Sequence, residues 1–257
     1  MNFISTITLS KSQVKHLQSL KLKKFRQRYK SFIVEGDKIA KELINYEFIN
    51  LLNIYAVSDW IDANQEILTP FTNILHQITE RDLKKISNLK TPNKVLMEVE
   101  IPYFDLKNIH LHQQMSLFLD EIQDPGNMGT ILRIADWFGI PFVFLAPNCV
   151  DIYNSKVIQA SMGAFLRIKT LEISLSDLKN TYPDIPILGA VINGENIYQI
   201  TTPSSSILVI GNEGKGISKT NLSLLDQKVS IPKGENGGAE SLNASVATGI
   251  LCSILSK

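Results

Sequence analysis

Residues 115–147 read MSLFLDEIQDPGNMGTILRIADWFGIPFVFLAP, which is an apolar run, a turn, a helix-like stretch and a second apolar run. Asp124, Pro125 and Gly126 supply the turn. A strand, a glycine-bearing turn and a helix in this order are typical of a loop that holds phosphate. The glycines fit neither common nucleotide fingerprint, because GxGxxG needs a third glycine and a P-loop needs a following Gly-Lys-Ser/Thr. The stretch therefore predicts a strand-to-helix unit whose loop has another use.

The second half of the chain repeats this rhythm of strand and helix. Its apolar runs are MSLFLDEI, PFVFLAP, LRIKTLEI, IPILGAVI, SSILVIG and KVSIP. Strands this continuously apolar are typically buried on both faces of a sheet. The pattern predicts an α/β fold with a mostly parallel sheet covered by helices on each side, in which ligands bind beyond the carboxyl ends of the strands.

The first hundred residues predict a smaller α/β unit. Helices are expected after Ser10 and after Thr79, each a possible N-cap, and strands in FIVE, INLLNIYAV and VLMEVE. The polar segment IPYFDLKNIHLHQQ separates this unit from the second half. We therefore expect domains at 1–100 and 115–257, joined by a linker at 101–114.

Length and composition favour a globular intracellular protein. The chain has 257 residues, of which 44% are hydrophobic, enough for a real core. Its apolar runs are too short to span a bilayer and its N-terminus lacks a signal-peptide layout, so a cytoplasmic location is expected. Cys149 and Cys252 lie in apolar surroundings and are expected to be core thiols. The four histidines form no ligand pattern, so no metal site is expected.

Basic charge is concentrated at the N-terminus. Eight of the 26 Lys and Arg residues lie in the first 30 positions, where there is no Asp or Glu, although the net charge of the chain is only +1. A cluster such as KLKKFRQRYK can follow a phosphate backbone by Coulomb attraction, or it can form a solvated helix face. The candidate RNA contacts are Lys21, Lys23, Lys24, Arg26 and Arg28.

A second loop, GNEGKGIS at 211–218, follows the strand SSILVI directly. Its three glycines let a ligand approach the main chain closely. Glu213 would repel a phosphate, so the ligand is not expected to be a di- or triphosphate. The alternative is a turn without function.

The third loop is followed by a helix, in IPKGENGGAESLNASVATGILCSIL from residue 231. Ser241 and Asn243 fall where the loop becomes helical, so they could form a plain capping sequence. The small residues of the helix suit either a tight core or a subunit interface.

Taken in order, NxGxxxR at 127–133, LVIGNEGKGIS at 208–218 and IP…SLNASVATGI at 231–250 resemble the three motifs of the SpoU (TrmH-type) RNA 2'-O-ribose methyltransferases. ASMGAFLRI at 160–168 resembles the stretch between the first two motifs, and FIVEGDKIAKELI resembles the L30e-like substrate-binding domain of many members. The resemblance implies a SPOUT-type parallel sheet with a C-terminal trefoil knot, S-adenosylmethionine as cofactor, and a homodimer.

The resemblance also implies roles for individual residues. Cofactor contacts are expected near Gly211, Ile231 and Leu242, with Ala190 and Gly194 as further candidates.

The expected catalytic set is Arg133, Asn127, Glu213, Ser241 and Asn243. Arg133 is expected to bind phosphate and stabilise the developing alkoxide, because a guanidinium that stays protonated is a poor general base. Asn127 is expected to cap the first turn of the helix and to orient Arg133 or the ribose. Glu213 is expected to fix Arg133 or contact the RNA. Arg133 as a mere surface charge is the alternative.

Three functions remain open. An RNA 2'-O-methyltransferase acting on ribosomal RNA is favoured, because the N-terminal domain can recognise structured RNA away from the reacting ribose. A tRNA methyltransferase is the rival within the enzyme class. A catalytically silent RNA-binding homologue is the rival outside it, although such a protein has no reason to keep Arg133, Glu213 and Asn243 together.

Overall fold

The computed structural model describes residues 5–106 and 109–256, so residues 1–4, 107–108 and 257 of the predicted domains and linker lie outside the described residues. The chain divides into two compact units. The N-terminal unit runs to Tyr103 and includes Tyr153–Ile158; the C-terminal unit comprises Phe104–Ile152 and the residues from Gln159 onward. The division after Tyr103 falls inside 101–114, but the sequence did not suggest that Tyr153–Ile158 groups with the N-terminal unit.

The N-terminal unit consists of a four-stranded sheet and short helices. In chain order its elements are α1 (Lys11–Ser19), α2 (Lys23–Tyr29), β1 (Ser31–Glu35), α3 (Asp37–Ile44), β2 (Leu51–Ala56), α4 (Ser58–Ala63), α5 (Gln65–Leu68), a 3-10 turn (Thr69–Phe71), β3 (Leu75–Gln77), α6 (Glu80–Ile86) and β4 (Val95–Glu100). The sheet order is β1-β4-β2-β3, with β4 antiparallel to both neighbours and β2 parallel to β3.

Two helices of this unit begin where the sequence predicted. The Ser10 side chain accepts from the Gln13 backbone N–H, and the Gln13 side chain accepts from the Ser10 backbone N–H, so α1 opens with a complete capping box. The Thr79 hydroxyl accepts from the Asp82 backbone N–H at the start of α6. Both N-cap predictions are confirmed.

The C-terminal unit is a six-stranded parallel sheet with helices between its strands. Its elements are β5 (Met115–Leu119), α7 (Pro125–Trp137), β6 (Phe142–Leu145), α8 (Ser155–Ser161, whose first residues fall in the N-terminal unit), α9 (Ala164–Arg167), β7 (Lys169–Glu172), α10 (Leu175–Thr181), β8 (Ile187–Asn196), β9 (Ser206–Ile210), α11 (Lys219–Leu222), β10 (Gln227–Ser230) and α12 (Ala244–Leu255). The sheet order is β10-β8-β9-β5-β6-β7, and every pair is parallel.

The apolar strands lie where their sequences predict. All residues of β5, β6 and β9 are buried, and Phe118, Phe144 and Val209 pack in one core cluster. The prediction of a parallel sheet with strands buried on both faces is confirmed for β5, β6 and β9. The prediction of a buried strand over LRIKTLEI is wrong, because α9 ends at Arg167 and β7, which follows, is a partly exposed edge strand. In the described part of the chain no helix is long and apolar enough to cross a bilayer.

Candidate active site

The three sequence motifs lie at the carboxyl edge of the parallel sheet. Leu119 of β5 pairs with Ile210 of β9, and Gly189 of β8 pairs with Val209 on one side and Lys228 of β10 on the other. The residues that follow these positions therefore leave the sheet at one edge. Parallel α/β sheets bind their ligands at this edge.

Strand β8 departs from regular pairing at this edge. Its register against β10 jumps from Gly189 opposite Lys228 to Glu195 opposite Val229, so residues 190–194 have no pairing partner on β10. A Cβ on Gly194 would lie 2.6 Å from the backbone carbonyl carbon of Val229, which only glycine avoids. Gly194 therefore allows two chain segments to touch backbone to backbone next to the predicted cofactor loops.

Asp124, and not Asn127, caps α7. The Asp124 carboxylate accepts from the Asn127 backbone N–H at 2.8 Å, and Pro125 occupies the first helical turn, where its missing N–H costs nothing. The prediction that Asn127 caps this turn is wrong. Gly129 is required for packing, because a Cβ there would lie 2.4 Å from Cβ of Ala160. The turn thus leaves the Asn127 side chain available for other contacts.

A chain of side-chain hydrogen bonds joins all three motifs. Asn127 Nδ2 donates to Glu213 Oε1 at 2.5 Å, and Asn243 Nδ2 donates to Asn127 Oδ1 at 2.9 Å. Asn243 Oδ1 in turn accepts from the backbone N–H and the hydroxyl of Ser245, so Asn243 caps α12. Since a carboxylate can only accept and a helix N-terminus can only donate, the polarity of both amides is fixed. The motifs therefore meet through one directed hydrogen-bond chain.

The second loop is a rigid turn built on Gly211. A Cβ there would lie 2.3 Å from the backbone carbonyl carbon of Gly216 and 2.4 Å from the backbone nitrogen of Ile217. Asn212 and Gly216 exchange two backbone hydrogen bonds of 3.0 and 2.8 Å. The Asn212 side chain accepts from the Gly214 N–H at 3.0 Å and donates to the carbonyl of Glu121 at 2.9 Å. Neighbouring backbone does not yield, so glycine is obligatory at position 211.

Sequence reasoning missed Asn212 and Asp120. The Asp120 carboxylate, which is buried, accepts from the Ser218 backbone N–H at 2.8 Å. Together with Asn212 it ties the second loop to the end of β5. The signal was present in both cases, since Asn in a glycine-rich turn favours an Asx turn and an acid directly after a buried strand needs a partner.

Arg133 lies on the third turn of α7 with its side chain exposed. Within residues 5–106 and 109–256 its guanidinium has no hydrogen-bond or ion-pair partner. The expected contacts of Glu213 and Asn127 with Arg133 are not formed, because Glu213 binds Asn127, and Asn127 binds Glu213 and Asn243. The alternative contacts, of Asn127 with the ribose and of Glu213 with the RNA, stay predictions. Arg133 is therefore a cation of this site that is available to a substrate.

The predicted cofactor residues follow the ends of three neighbouring strands. Ala190 belongs to the unpaired part of β8, Gly211 follows β9, and Ile231 follows β10. Ser241 and Leu242 precede α12 in an exposed segment, where 46% of Leu242 is accessible. Small residues at this edge of the sheet, together with an exposed apolar side chain, are chemically suited to an adenosine held by main-chain groups.

One of the five predicted RNA-binding residues is buried and cannot contact RNA. Arg26 is buried, and its Nη1 donates to the carbonyls of Leu20 and Lys21 at 2.7 and 2.9 Å. Its charge therefore holds the turn between α1 and α2 together and cannot face a phosphate. Lys24 and Arg28 are exposed on α2, whereas Lys21 Nζ donates to the carbonyl of Ser87 at 3.3 Å.

Of the two free thiols, Cys252 is buried and Cys149 is partly buried. Burial raises the pKa of Cys149 to about 11 and that of Cys252 to about 12, because a thiolate is poorly solvated there. Among the residues that the structure describes, no group of three or more potential metal ligands occurs.

Comparison with known proteins assigns both halves of the chain. The model of the SpoU rRNA Methylase family matches residues 114–253, more than half of the chain. A model of an MRM3-like substrate binding domain matches residues 11–97.

Individual relatives match over nearly the whole length. The 23S rRNA (guanosine(2553)-2'-O)-methyltransferase of Bacillus subtilis is 26% identical over 93% of this chain and 94% of its own. A structure from Porphyromonas gingivalis, described as an RNA methyltransferase of the TrmH family, has a TM-score of 0.87 and 34% identity over 97% of this chain and 98% of that one. The AdoMet-bound rRNA methyltransferase of Sinorhizobium meliloti shares the fold, with a TM-score of 0.85 at 24% identity over 96% and 95% of the two chains.

Proposed function

The chain belongs to the SpoU rRNA methylase family, as its three motifs predicted, and on that premise we propose that it methylates a ribose 2'-hydroxyl of ribosomal RNA. It is an RNA methyltransferase with S-adenosylmethionine as its cofactor. Ribosomal RNA is favoured because the Bacillus subtilis relative that matches over almost its full length is named for 23S rRNA, and because the N-terminal half matches a substrate-binding domain. A tRNA substrate is the second candidate.

The hydrogen-bond chain from Glu213 through Asn127 to Asn243 carries the proposal. It connects the three loops at the carboxyl edge of the sheet, and it holds α7, whose third turn presents Arg133. The arrangement suits a reaction whose activation barrier is lowered largely by holding the reacting groups in the right orientation.

The residues at this edge fit S-adenosylmethionine. Gly211, Ile231 and Leu242 would hold its adenosine through backbone groups and one apolar side chain, with Ala190 and Gly194 lining the same edge. The bound cofactor supplies an electrophilic methyl group on a sulfonium. Because methyl transfer to oxygen needs no redox step, the remaining task of the protein is to bind, orient and stabilise charge.

Arg133 acts on the substrate. Its guanidinium binds a phosphate beside the target ribose and stabilises the alkoxide that develops as the 2'-hydroxyl loses its proton. It is a poor general base because it stays protonated in proteins. Its exposure and its lack of a partner among the described residues support this role.

Glu213, Asn127 and Asn243 position the loops, and Ser241 and Asn243 flank the predicted cofactor residue Leu242 in sequence. Asn243 also stabilises the start of α12, since an N-cap side chain contributes about 1 kcal/mol. The network therefore acts by holding the three loops in place.

The N-terminal unit, residues 1–100 in the proposed division, is an L30e-like domain that binds RNA outside the reacting nucleotide. Its exposed cations on α2, Lys24 and Arg28, together with Lys21 and Lys23, supply contacts to phosphate. Arg26 is left out of this set because it is buried.

The C-terminal unit carries a trefoil knot and forms a homodimer, and the enzyme acts in the cytoplasm. Membership of the SpoU family supports the knot. The half-exposed Leu242 and Val246 at the start of α12 support a subunit contact along that helix. Ribosomal RNA as the substrate supports the location.

The test uses purified protein, methyl-labelled S-adenosylmethionine, and ribosomal or transfer RNA from cells that lack the gene. Label is expected in ribosomal RNA, and digestion should release it as one 2'-O-methylnucleoside. Calorimetry is expected to give cofactor binding in the micromolar range. Label in tRNA alone would favour the second candidate, and no cofactor binding at millimolar concentration would overturn the proposal.

A further inference from the structure

The exposed face of α7 carries a two-pronged ion pair three residues from Arg133 in sequence. Arg167, the last residue of α9, donates from Nε to Asp136 Oδ1 and from Nη2 to Asp136 Oδ2, both at 2.8 Å. Both side chains are partly exposed, at 40% for Arg167 and 26% for Asp136. A two-pronged arginine–carboxylate pair uses both carboxylate oxygens and fixes the orientation of both groups.

Asp136 is three residues after Arg133 on the same helix. Side chains spaced by three or four residues are neighbours on a helix surface, and opposite charges there attract. Arg133 and Asp136 would therefore be expected to pair. In the structure they do not, because the Asp136 carboxylate is held by Arg167 and Arg133 has no ion-pair partner in residues 5–106 and 109–256.

We propose that Arg167 is a positioning residue that keeps Arg133 available to the RNA by occupying Asp136. The proposal rests on the function proposed above for Arg133. Arg167 itself does not contact the reacting atoms.

Loss of the Arg167 charge would act on Arg133 in two ways. First, the freed Asp136 carboxylate would compete with the RNA phosphate for the Arg133 guanidinium. Second, an uncompensated carboxylate one helical turn away would repel that phosphate. Each effect is modest in water, and together they predict a loss of about threefold to tenfold in kcat/KM for RNA.

The residue type follows from the same reasoning. A lysine can neutralise Asp136 but has a single ammonium and cannot engage both carboxylate oxygens in a planar fork. Asp136 would then keep one oxygen free toward Arg133. Arg167→Lys is therefore expected to fall between wild type and Arg167→Gln.

The experiment compares single-turnover methyl transfer by the full-length chain in wild type, Arg167→Gln, Asp136→Asn and the double variant. Gln keeps most of the stem of Arg167 but removes its charge. The expected results are a loss of about threefold to tenfold for Arg167→Gln, and rates within about twofold of wild type for Asp136→Asn and for the double variant. Cofactor affinity should be unchanged in all three.

A purely structural bridge gives a different pattern. Asp136→Asn would then be as slow as Arg167→Gln, and the double variant would not recover; either result overturns the proposal, as does a wild-type rate for Arg167→Gln. If Arg167→Gln does not fold, Arg167→Lys with and without Asp136→Asn gives the same comparison. Failure of the proposed function is separate, because it appears as absent transfer by wild type or as an unaffected Arg133→Ala.

Discussion

Replacing Asn127 by Asp should place a second carboxylate directly against Glu213. In the wild type the Asn127 amide donates to Glu213 at 2.5 Å and accepts from Asn243 at 2.9 Å. The carboxylate of the variant can still accept from Asn243, but it has no proton to donate to Glu213. The substitution therefore changes one hydrogen bond into a contact between like charges, at nearly constant side-chain volume.

The magnitude follows from Coulomb's law and from the lost hydrogen bond. Two unit charges about 4 Å apart repel by about 4 kcal/mol at an effective dielectric constant of about 20 and by about 1 kcal/mol in water. Asn127 and Glu213 are half-buried and can rotate apart, so the real cost lies between these limits, and the lost hydrogen bond adds about 1 kcal/mol. We expect a loss of about 2–3 kcal/mol, which lowers the Tm by about 5–10 °C for a domain of this size.

The assay is thermal unfolding of a double-mutant cycle. Glu213→Gln in the Asn127→Asp background restores a donor facing the new carboxylate, with the polarity of the bond reversed, and Asn243 keeps its acceptor. The double variant should therefore regain most of the lost Tm, with a coupling energy of about 2 kcal/mol. Glu213→Gln alone is the control. Additive losses in the double variant would refute the hydrogen-bond chain.

Three further predictions concern separate parts of the molecule. Gly211→Ala should abolish cofactor binding and lower the Tm, measured by calorimetry, because its Cβ would lie 2.3 Å from the Gly216 backbone; Gly234→Ala, where a Cβ meets nothing within 4 Å, is the matched control. Lys24→Gln and Arg28→Gln, which neutralise exposed cations of α2, should weaken binding to RNA of any sequence. In salt titrations each lost phosphate contact should reduce the slope of log K against log salt concentration by about 0.7–0.9. Both thiols should resist alkylation at pH 8 in the folded protein and react on denaturation, since burial raises the pKa of Cys149 to about 11 and that of Cys252 to about 12; rapid labelling of native protein would contradict this.

The parallel sheet was predictable because each of its buried strands is encoded by a short, continuous run of apolar residues. The strands β5, β6 and β9 are short apolar runs between turn signals, and a run of that kind has few alternatives to a buried strand. The N-caps Ser10 and Thr79 were also readable, since a cap is formed within four residues. Strand order was not, because the pairing of β8 with β10 depends on contacts between distant segments.

The membership of the site was predictable, but its connections were not. Motif order identified Asn127, Glu213 and Asn243, yet their hydrogen bonds join residues 86 and 116 positions apart. The spacing NxGxxxR suggested a link between Asn127 and Arg133, whereas the cap is Asp124 and the Asn127 amide points to the other motifs.

Charge alone also misled at Arg26. In KLKKFRQRYK all cations look equivalent in sequence. The helical period of α2 turns Arg26 inward, where two backbone carbonyls accept hydrogen bonds from its guanidinium. The opposite case is Arg167, which no sequence pattern singles out and which the fold places against Asp136. Both outcomes depend on which face of a helix packs, and composition does not contain that information.

A map of 2'-O-methylation in cells with and without the gene tests the central claim most directly. We predict that a ribose methylation in ribosomal RNA disappears on deletion, returns with the wild-type gene, and does not return with Arg133→Ala, although that variant still binds the cofactor. Identical ribosomal RNA maps in all four strains would contradict this prediction.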